Sequence, residues 1–88
     1  MKIEETIEQS IHEFNKSQNK YRIINNESFE LIGQNSTLDS LAIINFFSIL
    51  EDKIFSNHAI KKDLIKEVFI QQNKKIDLKR ITLILKNN

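Results

Sequence analysis

Three observations predict an all-α fold, a four-helix bundle with a long loop between the first and second helices. Apolar residues recur at helical intervals in four stretches, no proline and a single glycine, Gly33, interrupt them, and every joint between stretches is short and polar except one. Ile3, Ile7, Ile11 and Phe14 stand at i, i+4, i+8 and i+11 among Glu4, Glu5, Glu8 and Glu13, which predicts a first helix over about 2–16 with its acids near the positive end of its dipole. The run Asn15-Lys16-Ser17-Gln18-Asn19 breaks that period. From 21 to 37, apolar residues (Ile23, Ile24, Phe29, Leu31, Ile32) alternate irregularly with Asn, Ser and Gly. A connection this long is uncommon in a small domain unless it packs through its own side chains, so these five are expected to anchor it.

Asp39 is the expected N-cap of a second helix over about 40–54, its carboxylate accepting from N–H groups that a first turn leaves unpaired. Ile43, Phe46, Phe47, Leu50 and Ile54 form that helix's apolar stripe. Ser56-Asn57-His58 reads as the next joint. A third helix is expected over about 60–71 on Ile60, Leu64, Val68, Ile65 and Phe69, stopped by Asn73-Lys74-Lys75. Asp77 caps a last helix with Leu78, Ile81, Ile84 and Leu85 on its apolar face.

With 88 residues, 40% of them hydrophobic and 28% charged, the chain has the balance of one globular domain spanning 1–88 and little room for a deep enzymatic cleft. It lacks cysteine, which excludes disulfides and thiolate metal sites. No apolar run approaches the roughly 20 residues that span a bilayer, and Glu4 and Glu5 stand where a signal peptide would be apolar, so a cytoplasmic, monomeric protein without membrane contact is expected. His12 and His58 are far apart, and no His/Asp/Glu spacing matches a metal site or catalytic triad, so neither catalytic residues nor metal ligands are assigned. Charge is unevenly spread. Residues 1–52 hold nine acidic and four basic side chains, and residues 53–88 hold three and nine. The basic half either coats solvated faces with lysine or meets an acidic partner.

The run Leu38-Asp39-Ser40-Leu41 places a serine hydroxyl in the first turn of the second helix, ahead of its buried stripe. Taken alone, such a serine is an ordinary helix-start residue. In its setting, the stretch from Asn25-Asn26-Glu27-Ser28-Phe29 through Ser36-Thr37-Leu38-Asp39-Ser40-Leu41 to Leu50-Glu51-Asp52 resembles acyl and peptidyl carrier proteins. In that family a polar turn leads to a hydrophobic loop plug, an Asp-Ser-Leu signature and a helix of apolar pairs ending in Leu-Glu. The resemblance covers essentially the whole chain. It implies a bundle of the acyl-carrier-protein type, with Ser40 bearing 4'-phosphopantetheine from coenzyme A and Asp39 and Leu41 flanking it as the recognition signature. It also implies that Leu41, Ile44, Ser48, Glu51 and Asp52 dock partners: a phosphopantetheinyl transferase and the enzymes that load and transfer the acyl group. The chain would then be a phosphoprotein carrying a thioester, without catalysis of its own.

Two departures narrow that expectation. The glycine that many relatives place just before the signature is absent at Ser36 and Thr37, and the second helix has few of the acids typical of carriers for fatty acid synthesis. A dedicated biosynthetic pathway fits better. The segment from Ile60 to Gln72 is also longer than the family's usual third helix. The alternative from another class is a small helical nucleic-acid-binding or adaptor domain using Lys61, Lys62, Lys66, Lys74, Lys75, Lys79 and Arg80, although the last helix lacks a clear recognition face.

Overall fold

The computed structural model describes residues 1–70 and 75–87. Four helices are present, α1 (Ile3–Ser17), α2 (Ser40–His58), α3 (Leu64–Ile70) and α4 (Leu78–Lys86), with two short strands, β1 (Glu30–Ile32) and β2 (Ile76–Asp77). The chain is mostly helical, as expected, and the two strands are an addition to the all-α expectation. They pair antiparallel, Glu30 opposite Asp77 and Ile32 opposite Ile76, with the register slipping between the two pairs.

The core forms where the four apolar faces meet. Ile7, Ile11 and Phe14 of α1 are buried against Phe46, Phe47, Leu50 and Ile54 of α2, with Leu64 and Val68 of α3 and Leu78, Ile81, Ile84 and Leu85 of α4. The Phe14 and Phe46 rings meet edge-on, centroids 5.9 Å apart, an arrangement that suits the quadrupoles of both. Ile43, expected in the α2 stripe, lies at its half-buried margin, and Ala42 takes the buried position beside it. Two polar residues are fully buried on α1. Ser10 donates to the Thr6 carbonyl at 2.8 Å, and the Thr6 hydroxyl lies 2.7 Å from His58 Nε2 and accepts from Asn57 Nδ2 at 3.2 Å.

Those last contacts explain why α2 runs a full turn past its expected end. Asn57 and His58 face α1 and hold the turn that their polarity would otherwise release, and the helix stops at Ala59 in the left-handed region (φ 55°), its N–H bonded to the Phe55 carbonyl. The third helix is correspondingly shorter than expected and starts at Leu64, with Ile60 packed against the core from the preceding segment. Its N-terminus is held from two directions. Asp63 accepts from Lys66 N at 3.0 Å, while Glu51 of α2 accepts from Leu64 N at 3.0 Å and Ile65 N at 3.4 Å. The expected end of this helix and the Asn73-Lys74 part of its stop signal lie outside the described residues, as does the side chain of Phe69. Asp77 caps α4 as expected, accepting from Arg80 N at 2.8 Å.

The long loop is ordered by its anchors. Ile23 and Leu31 are buried and Phe29 and Ile32 pack against the core, but Ile24 is 63% exposed and anchors nothing. Asn15 clamps the loop's beginning to α1, its side chain both donating to the carbonyl and accepting from the N–H of Ile23, each at 2.8 Å. The loop's middle is tied to α4. The Phe29 and Glu27 carbonyls accept from Leu78 N and Lys79 N, first-turn donors that a helix cannot pair internally.

Candidate functional site

The approach to α2 is built by three residues. Gly33, at φ 148°, turns the chain after β1 in a region that side chains rarely adopt, and its carbonyl accepts from Ser36 N at 3.1 Å. Ser36, where a carrier protein often has glycine, uses its hydroxyl twice, donating to the Leu31 carbonyl at 2.7 Å and accepting from Leu38 N at 3.2 Å. Leu38 is then buried and pins the chain immediately before Asp39.

Asp39 caps α2 as expected, Oδ1 accepting from Ala42 N at 2.8 Å. Its other oxygen is also taken, accepting from the Tyr21 hydroxyl at 3.0 Å. The Ala42 N–H first, the Tyr21 phenol second and the Lys20 ammonium beyond them all favour the anion and hold this carboxyl below its ordinary range. Lys20 itself lies over the Tyr21 ring, 5.3 Å from the centroid. Tyr21 is the site residue that sequence reasoning missed. It stands 18 positions from its partner, at the start of an irregular segment, where no periodicity points to a contact.

Ser40 is the first residue of α2 and is exposed, and among the described residues no hydrogen bond engages its hydroxyl. A phosphodiester attached at this oxygen would stand in the first turn of the helix, where the dipole and unpaired N–H groups favour negative charge. The residues present therefore fit a 4'-phosphopantetheine arm. Leu41 (66% exposed), Ile44, Ser48 and Asp52 lie open along one face of α2, and Phe55 (58% exposed), absent from the expected docking set, extends that face to about 20 Å from Leu41. Glu51 is placed differently. It is half-buried and committed to the N-terminus of α3.

Lys53 pairs with Glu13 at 3.2 Å, Lys62 with Glu67 at 3.6 Å, Lys75 with Glu30 at 4.0 Å, and Lys86 with Glu4. Lys61, Lys66, Lys79 and Arg80 are exposed, and Lys74 lies outside the described residues. His12 is exposed on α1 while His58 is held by Thr6. Among the described residues no three His, Cys, Asp or Glu side chains cluster to hold a metal ion, and no helix is long and apolar enough to cross a membrane. No protein-family model, curated protein or solved structure matches this chain.

Proposed function

We propose that this chain is a carrier protein whose Ser40 is esterified by 4'-phosphopantetheine, and that it presents an acyl or aminoacyl group to the enzymes of a dedicated biosynthetic pathway. The observation that carries the reading is the exposed hydroxyl of Ser40, without a hydrogen bond among the described residues, at the first position of α2, directly after an Asp39 whose carboxylate is fixed on both oxygens.

In the attachment step, Ser40 Oγ forms a bond to the phosphorus nearest the pantetheine of coenzyme A. The diphosphate P–O bond breaks, adenosine 3',5'-bisphosphate departs with the electron pair, and the serine proton passes to a base of the transferase. Once bound, the arm supplies a thiol that holds the cargo as a thioester, chemistry that a chain without cysteine lacks. The protein's own part is positional. Buried Leu38 and the Asp39 cap fix the start of α2, and Leu41, Ile44, Ser48 and Asp52 offer partners a face with little charge.

The test is the intact mass of the protein after incubation with coenzyme A, magnesium and a broad-specificity phosphopantetheinyl transferase, beside Ser40→Ala. The expected result is a gain of one phosphopantetheine and one titratable thiol in the wild type only. No gain with several transferases, on a chain shown to be folded, overturns the reading.

A further inference from the structure

We infer that Tyr21 is a positioning residue for the modification of Ser40, acting through the carboxylate of Asp39. The inference rests on the carrier reading and goes beyond it to a residue outside the signature.

A carboxylate held by one hydrogen bond keeps a broad, two-fold torsion about its last bond and can exchange its oxygens. Asp39 Oδ1 is held by Ala42 N, a bond within the helix it caps. Tyr21 takes Oδ2 from outside that helix, so the two bonds together define the plane of the group beside the Ser40 hydroxyl. The phenol is itself supported. Lys20 covers its ring, and two residues further on Asn15 grips the backbone of Ile23 with paired 2.8 Å bonds. The orientation of the anion next to the attachment oxygen is therefore referred back to α1 through a chain of specific contacts.

That orientation bears on the reaction because phosphoryl transfer to a hydroxyl depends on alignment and on neutralising charge. A fixed carboxylate presents its remaining lone pairs in one direction, beside the residue that is modified, where the incoming transferase complex would meet them. A rotating one presents them there only part of the time.

The experiment measures kcat and KM for phosphopantetheine addition, by intact mass, in wild type, Tyr21→Phe, Asp39→Asn and the double variant, with Ser40→Ala as the blank. All rates are taken well below the lowest melting midpoint. Tyr21→Phe should remain folded and be modified about tenfold more slowly, in kcat rather than KM, the scale expected for one hydrogen bond to a charged group. The double variant should be no slower than Asp39→Asn alone, because both changes remove the same device. Equal rates in wild type and Tyr21→Phe overturn the inference and leave the carrier reading intact. Multiplying effects in the double variant, or loss of folding in Tyr21→Phe, also overturn it, since either marks Tyr21 as a loop anchor independent of Asp39. A wild type that takes up no phosphopantetheine removes the carrier reading and this inference with it.

Discussion

Asp39 holds the start of α2 more strongly as an anion than as a neutral acid, and this gives its contribution a definite pH dependence. Its folded pKa lies below the ordinary value of 3.8, so the stabilisation is present in full above that value and is lost as pH falls through the lower folded pKa. Amide exchange at Ala42 is expected to accelerate below about pH 4 after correction for intrinsic rates, and Asp39→Asn should flatten that acid limb; NMR exchange across pH checks both. Deeper in the molecule, Phe46 is fully buried and touches Phe14 and Phe47, so Phe46→Ala should cost about 3–5 kcal/mol. That is a large share of the roughly 5–15 kcal/mol that holds a small domain, and urea titration should show a much lower midpoint. Thr6→Val leaves His58 and Asn57 without their shared partner and should cost about 1 kcal/mol in the same assay.

Among the elements, those legible in the sequence were the ones that carry their own signal. The spacing of Ile7, Ile11 and Phe14 and the caps at Asp39 and Asp77 locate α1 and the starts of α2 and α4, because period and capping act within a few residues. What escaped depends on distant partners. Strands of three and two residues are too short to alternate, and β1 exists because Ile76–Asp77 lies beside it. The last turn of α2 looked like a joint because Ser56, Asn57 and His58 are polar, and the contacts that keep it helical reach to Thr6, 52 positions from His58. Of the candidate site, Ser40, Asp39 and Leu41 could be read from the signature, whereas Tyr21 could not. Glu51 shows the same limit. Its exposed-looking position on α2 conceals its bonds to α3, so Glu51→Ala should speed amide exchange at Leu64 and Ile65 while leaving α1 and α4 unchanged.

Across the whole molecule, the opposite charges of the two halves meet. Glu13, Glu30 and Glu4 from the acidic half pair with Lys53, Lys75 and Lys86 from the basic half, and the Lys86 ammonium holds the Glu4 carboxyl below its ordinary range. Exposed pairs of this kind add little stability singly, and they offset part of the lysine charge in a chain whose net charge is only +1. Weak binding to DNA and RNA at physiological salt is expected, measured by fluorescence anisotropy. Tight binding that falls steeply with added salt would favour the nucleic-acid alternative instead. The two halves also depend on each other through the backbone. The loop leading to Ser40 pairs β1 with β2 and gives its Phe29 and Glu27 carbonyls to the first turn of α4. Glu30–Ile32 precedes its partner strand by more than forty positions, so the loop leading to α2 gains that pairing only once the last part of the described chain is in place. If the proposed carrier function holds, a purified chain truncated before Ile76 is therefore expected to be a poorer substrate for the transferase than the chain with both strands, measured by intact mass.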